Sequence, residues 1–536
     1  MGPRARRFTM GVTLCPVATH PAARYTGRHK RAEGGETKVH TKTPATPTVS
    51  ADAAHPYPKR WTALLVMMLA NFMNLLDVTI VNVALPSLQS ELGATSSQIE
   101  WVVAGYVLVF ALGLLPFGRL GDVRGKKQVF LAGVVAFTSA SLLCGLAPDI
   151  RWLVAARLLQ GAGAAVMTPQ VLAIAQMMFP PKERAAAFSL FGLSAGLAAV
   201  SGPILGGWLI ALNLFDLGWR PIFLINIPVG IVTILLGWRL IPALPGKPGL
   251  KNDFGGIALA AATIFCVIFP LIEGRGFGWP VWCFVMLAMA IPFGVAFGLW
   301  ERRQHQLKAP ELLPVALMKN RNYVIGSLMT ATFFSTLPGF FLILAMFLQQ
   351  GYGLTPLQSG MTTVPFSVGI FIASLISGRL GNITPRIRVV VGVVMVIVGM
   401  GLLRAEIQSV GESIDRMALL PWFLLSGLGM GIAIAPMFQL VLAGVPPQDA
   451  GGGSGALQAI QQVGSALGIA IVSEIFFSDL ARNAAEGLSG KAVYAEGLAL
   501  GLIYNFVAYA IVLIAVLSMR TVTPGSEKLE RPLPIE

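Results

Sequence analysis

Gly118-Arg119-Leu120-Gly121 returns 260 residues later as Gly378-Arg379-Leu380-Gly381, and the reading of these two connections decides the fold. The same offset carries Gly93, Thr95 and Gln98 onto Gly353, Thr355 and Gln358. Chance matching between apolar helices would yield coincidences of Leu and Val. These seven identities instead fall in or beside connections. Each quartet ends an apolar stretch of ~20 residues, the length that crosses about 30 Å of hydrocarbon at 1.5 Å per residue. The chain therefore reads as two related halves of membrane-spanning helices, the arrangement of transporters that rock about a midplane site.

Composition agrees with that reading. Of 536 residues, 55% are hydrophobic and 12% charged, against roughly 25% charged in a soluble domain, and the mean hydropathy is +0.72. Too little polar surface remains for a water-facing shell. Apolar runs such as Trp61 to Leu85, Val281 to Trp300 and Gly501 to Met519 do not alternate, which excludes a β-barrel. About fourteen spans are expected, at 61–86, 98–117, 128–147, 152–178, 186–211, 221–241, 254–273, 280–300, 323–348, 356–377, 388–405, 417–439, 455–476 and 499–519.

With the N-terminus inside, the connections on that side and the C-terminus hold 20 Lys/Arg against 7 on the other side. The asymmetry predicts that both ends are cytoplasmic. Residues 1–60 add 11 Lys/Arg and no spanning or signal-type apolar run, and read as a disordered basic cytoplasmic tail. The remaining expected organisation is a six-helix half at 61–241, a linker with an inserted transmembrane pair at 242–300 and a cytoplasmic loop at 301–322. A second six-helix half at 323–519 and a cytoplasmic tail at 520–536 complete it. The four cysteines and the scattered histidines have no metal spacing, so neither a metal nor another cofactor is expected. The basic charge has no folded nucleic-acid module attached to it.

The first span carries Asp77 at a depth where a charged carboxylate costs about 2.5–3.5 kcal/mol, and such residues are usually functional. Asn71, Asn74, Asp77 and Asn82 share one helical face that should meet a cavity. Proton binding and an interhelical hydrogen-bond knot are the two readings of that face. Arg157, in the fourth span, must be paired or hydrated, so it either partners a carboxylate or snorkels to the interface. Gln458, Gln461 and Gln462 form a polar face at i, i+3 and i+4 that lines a cavity or binds the bundle together. Glu474, near the outer end of its span, is either a second binding carboxylate or an interfacial residue.

These residues resemble the major facilitator superfamily, specifically the fourteen-span drug:proton antiporters of the EmrB/QacA type. The resemblance rests on Leu76-Asp77-Val78-Thr79-Ile80-Val81-Asn82-Val83-Ala84-Leu85-Pro86 and on Gly118-Arg119-Leu120-Gly121-Asp122-Val123-Arg124-Gly125-Lys126-Lys127. Further support comes from Leu153, Arg157, Gln160, Gly161 and Gly163, and from Gly202-Pro203-Ile204-Leu205-Gly206-Gly207. It covers Trp61 to Arg520 and implies an all-α major facilitator fold with two six-helix halves and an inserted pair. Asp77 and Arg157 would then couple to protons, and Asn71, Asn74, Gln160, Gln458, Gln461, Gln462 and Glu474 would serve the substrate cavity. Gly118, Asp122, Arg124 and Gly125 would form a latch, with Asp122 pairing to basic groups or to a helix N-terminus in one conformation only. Gly202, Pro203, Gly206 and Gly207 would be the antiporter motif that marks exporters. Two departures stand out: Val123 where a basic residue is usual, and Ala198 where glycine is.

The resemblance implies a multi-pass protein of the bacterial inner membrane that exports a small amphipathic molecule against protons, with a periplasmic adaptor protein as an optional partner. Uptake by symport is the alternative within transport. No G-x-x-x-x-G-K-[ST] site supports ATP-driven transport. No clustered nucleophile supports an intramembrane enzyme, and a channel would need neither the repeat nor the Gly-Pro motif.

Overall fold

The structure, a computed structural model, describes residues 57–519 except 181–182, 214–215, 247–252, 381–382, 410–413, 447–448 and 487–489. Both expected tails, apart from residues 57–60, lie outside the described residues. The first half comprises α1 (Arg60–Leu92), α2 (Ser96–Arg124), α3 (Lys126–Gly145), α4 (Ile150–Met178), α5 (Arg184–Leu212) and a sixth span made of α6 (Pro221–Leu224) and α7 (Asn226–Leu240). The inserted pair is α8 (Phe254–Glu273) and α9 (Val281–Gln306). A short α10 (Val315–Lys319) leads to the second half: α11 (Arg321–Met346), which ends in a π-helical turn, then α12 (Pro356–Arg379), α13 (Pro385–Ser409), α14 (Arg416–Leu442), α15 (Ala450–Ala485) and α16 (Lys491–Ser518).

Among the described residues, thirteen segments are long and apolar enough to cross a membrane. The remaining long helix, α5, is apolar over the shorter stretch Ala186–Ala198. The large apolar side chains turned outward, among them Leu65, Trp208, Leu235, Ile291 and Ile514, reverse the distribution of a soluble protein and face lipid. Most helices run past the sequence-predicted limits. The span expected at 61–86 continues to Leu92, and that at 455–476 becomes a 36-residue helix. Helices continue into the interface, where apolar composition no longer marks them. Residues 301–322 hold the end of α9, all of α10 and the start of α11.

The internal repeat is a repeat of turn chemistry. Gly93 and Gly353 both take the left-handed conformation, at φ 59° and 68°, which a Cβ would oppose. Thr95 and Thr355 each cap the next helix, accepting from Gln98 N and Gln358 N at 3.3 Å, while the glutamine side chains accept from the threonine N–H groups at 3.0 Å. Two reciprocal capping boxes 260 residues apart thus start the second helix of each half. Where the first half begins, Arg60 forks onto Glu183 at 2.7 and 2.9 Å. Those hydrogen bonds hold the Glu183 carboxyl below its ordinary range.

The halves meet where α2 packs on α15 and α5 packs on α12 and α14. The inserted α8 lies against both α2 and α15. Its partner α9 buries little beyond Cys283, Ala290 and Glu301.

Candidate substrate cavity and coupling site

Asp77 is fully buried on α1, and four helices converge on its carboxylate. Arg157 Nη1, from α4, donates to Oδ2 at 2.6 Å, and Gln160 Nε2 donates to Oδ1 at 2.7 Å. From α7, Asn226 Nδ2 donates to Oδ1 at 3.2 Å. Ser141 Oγ on α3 accepts from both Gln160 (2.8 Å) and Asn226 (3.3 Å). Arg157 also donates from Nε to Val102 O at 2.8 Å and from Nη1 to Gln160 Oε1 at 2.7 Å. Its guanidinium lies over the Tyr106 ring, 4.2 Å from the centroid. A buried pair is tolerable only when its spare lone pairs and protons are met, and here they are met by fixed dipoles. Gly161 permits the close approach: a Cβ there would lie 2.5 Å from Tyr106 O, so only glycine lets α4 bring Arg157 onto α2. Arg157 therefore does not snorkel to the interface.

Asp77 itself does not line a cavity. The cavity, of about 300 Å³, lies on the other side of Tyr106 and is walled by both halves. The first half contributes Asn71, Asn74, Thr79, Tyr106, Phe110, Thr168 and Phe191, among others. The second contributes Phe334, Ile434, Phe438, Gln458, Gln461 and Gln462. The Tyr106 hydroxyl donates to Asn74 Oδ1 on this wall. Gln160, expected at the cavity, instead sits fully buried behind the wall, where it bonds to Asp77. Two further predicted cavity-facing groups lie elsewhere. Asn82 is exposed and returns its amide to Val78 O at 3.2 Å. Glu474 is exposed and accepts the Trp279 indole N–H at 3.0 Å, which ties α15 to the connection between α8 and α9.

Hydrogen bonds between the halves gather at the end that carries the Lys/Arg-rich connections. Asp122, at the end of α2, accepts from the backbone N–H groups of Gly451 (3.0 Å) and Gly452 (2.8 Å) in the first turn of α15. Lys126 Nζ donates to the same carboxylate at 2.6 Å. Arg119 Nη1 reaches Asp449 at 3.1 Å. Gln176 Nε2 donates to Leu442 O at 2.8 Å, and Ser454 Oγ to Pro169 O at 3.0 Å. Gly118 lies so close to α15 that a Cβ would fall 2.5 Å from Gly451 O. Gly125, at φ 103°, turns the chain from α2 into α3. Arg124 is exposed and takes no part in these bonds. The basic groups at the carboxylate are Lys126 and Arg119.

In α5, Gly202 abuts Thr79, whose Oγ1 a Cβ would approach to 2.1 Å, and the Thr79 hydroxyl donates to Ala198 O at 3.1 Å. Gly206 is buried, Gly207 faces open space, and the Pro203 side chain lies outside the described residues. Tyr106, Ser141 and Asn226 were not foreseen, and neither was the choice of α15 as the helix whose N-terminus meets Asp122. A lone tyrosine or serine in an apolar span carries no periodic signal.

Two six-helix halves, joined at one end around a cavity both of them wall, define a membrane transporter. The chain belongs to the Major Facilitator Superfamily, whose profile matches residues 67–469. It is 39% identical over 439 residues to the probable actinorhodin transporter of Streptomyces coelicolor, covering 82% of this chain and 76% of that one. It is 33% identical over 459 residues to the puromycin resistance protein of Streptomyces alboniger, covering 84% and 89%. The solved structure of a proton:xylose symporter matches with a TM-score of 0.58 at 12% identity, over 85% of this chain and 94% of that one. That likeness is one of fold.

Proposed function

We propose that this transporter exports a small amphipathic organic molecule in exchange for protons, with Asp77 as the proton-binding group and Arg157 as its partner. The observation that carries the reading is the fully buried Asp77–Arg157 pair, set one aromatic ring away from a cavity that both halves wall. An ionised Asp77 neutralises Arg157. A proton arriving at Asp77 leaves the buried guanidinium uncompensated, which disfavours the present packing and biases the halves toward another. Relatives named for antibiotic transport and resistance favour export over uptake.

In this reading the basic end faces the cytoplasm of a bacterial inner membrane, as the Lys/Arg asymmetry implies. The latch of Asp122 on α15 then belongs to the state closed toward the cytoplasm. The carboxylate at a helix N-terminus is a stabilising arrangement available only while the halves touch there. Gly202 of α5 lets the helix pack closely on Thr79 of α1, as a rigid half that rocks as a unit needs.

The test is the steady-state accumulation of 1,4-dihydroxyanthraquinone in energised cells. Cells expressing the chain should hold less dye than empty-vector cells, and a protonophore should remove the difference. Equal accumulation with and without protonophore, at a level below the empty vector, would rule out proton coupling.

A further inference from the structure

The wall between the cavity and the coupling pair is one residue thick. Tyr106 presents its hydroxyl to Asn74 Oδ1 at the cavity and the face of its ring to the Arg157 guanidinium, at 4.2 Å. Arg157 in turn holds both Asp77 and Gln160 through one nitrogen. Anything in the cavity that takes the Asn74 oxygen competes with the Tyr106 hydroxyl and so acts on the ring that covers Arg157. A cation held over an aromatic face is attracted by the ring's electron-rich face, most strongly when desolvated, so a tilt of that ring is felt by the guanidinium.

The chemistry of the wall narrows what can occupy it. Among the described residues that line the cavity, none is charged. A cationic ligand would meet no counter-carboxylate, because Asp77 lies behind Tyr106 and is already held by Arg157. An isolated charge in such a site is strongly disfavoured. Carboxamides such as Asn71, Gln458 and Gln461 offer donors and acceptors side by side, and Phe334 and Phe438 offer ring faces. That combination fits a flat, uncharged molecule with several hydroxyl and carbonyl groups.

We infer that the Asn74–Tyr106 pair is the positioning element through which an uncharged, hydroxylated polycyclic aromatic in the cavity acts on the Asp77–Arg157 pair. The inference rests on the proton-coupled reading above and extends it to a substrate class and a route of coupling. The titratable groups that face Asp77 are Tyr106 from α2, Cys144 from α3 and Arg157 from α4, while α7 contributes the uncharged Asn226. Of these, Tyr106 is the one that also lines the cavity.

The experiment uses the full chain in lipid nanodiscs. Protonation of Asp77 is followed against pH through its carboxylic-acid C=O infrared band, assigned by its loss in Asp77→Asn. In the wild type, 1,4-dihydroxyanthraquinone should shift the midpoint by about tenfold in proton concentration, within the roughly 5–150-fold range of coupled sites. By linkage, its own affinity should change with pH by the same factor. Tyr106→Phe keeps the ring over Arg157 and removes the hydroxyl. With the probe at saturation, it should lose most of the shift. Asn74→Ala removes the oxygen the probe takes, so it should weaken binding by up to about tenfold. It too should lose most of the shift at saturation, and it serves if Tyr106→Phe does not fold. A full shift in both variants overturns the route. No shift in the wild type, or a shift given by ethidium and not by the anthraquinone, overturns the inference as a whole. Protonophore-sensitive export alongside either of these results would leave the proposed function standing. Protonophore-insensitive export would remove the proposed function itself.

Discussion

Replacing Asp122 with Asn should open the basic end of the transporter. The Asp122 carboxylate accepts the N–H groups of Gly451 and Gly452, 3.0 and 2.8 Å away across the interface between the halves. Hydrogen bonds to a charged group contribute about 1.5–3 kcal/mol each, against about 0.5–1.5 for neutral ones, and a carboxamide retains one acceptor oxygen for the two donors. A carboxylate at a helix N-terminus adds about 0.3–1 kcal/mol, up to ~2 where partly buried. Lys126 stands on the same half as Asp122, so losing its 2.6 Å contact affects both states alike and drops out of the difference. The closed state should therefore lose about 2.5–4.5 kcal/mol relative to the open one, a shift of roughly 70- to 2,000-fold in their ratio. The measurement is the distance distribution between spin labels on Met177→Cys of α4 and Ala443→Cys, the residue that follows α14, both exposed at the basic end. The wild type should give one short distance, and Asp122→Asn a mixture with a substantial long component. Identical distributions would refute the reasoning.

Arg157→Lys keeps the charge and gives up the fork that serves Val102 O, Asp77 and Gln160 together. Dye export should fall by about tenfold or more while purified protein of normal yield is still obtained; wild-type export by this variant would show that the fork is dispensable. Gly161→Val would drive a side chain into Tyr106 O, 2.5 Å from where its Cβ must sit. It should destabilise α2 against α4 by about 1–3 kcal/mol, seen as earlier unfolding in a detergent titration, and an unchanged midpoint would mean that the close approach is not needed. Thr95→Ala and Thr355→Ala remove equivalent capping boxes. Each should lower stability by a similar amount, about 1 kcal/mol, in the same titration; an effect in only one half would contradict the equivalence of the two turns.

The spans were legible because a bilayer demands ~20 apolar residues and nothing else in the sequence resembles that signal. The repeat was legible because its identities stand where the backbone needs special chemistry: glycines at positive φ, and a threonine and a glutamine that close a cap. Asp77 and Arg157 stood out because an unneeded charge at membrane depth is expensive. Their companions did not. From sequence alone, Tyr106 cannot be told from a lipid-facing aromatic, and Ser141 and Asn226 look like ordinary small polar groups in apolar helices. At the latch, the sequence left basic groups and a helix N-terminus open as partners of Asp122 without saying which helix, and the cross-interface partner is the backbone of Gly451 and Gly452. A trace of this was present: 440–454 is the one connection at the basic end without a Lys or Arg, and a helix N-terminus supplies the positive end there instead. Glu474 was ambiguous because a helix end gives no azimuth relative to a cavity. The structure turns it to Trp279.

The central claim is that Asp77 carries the proton exchanged for substrate. The most direct measurement uses proteoliposomes that enclose a pH-sensitive dye, with 1,4-dihydroxyanthraquinone added outside and protein-free liposomes as the control for passive entry. In the wild type, inward flux of the probe should drive protons out and alkalinise the interior. Asp77→Asn should still bind the probe and leave the interior pH at the control level. Alkalinisation by Asp77→Asn at the wild-type rate would contradict the account.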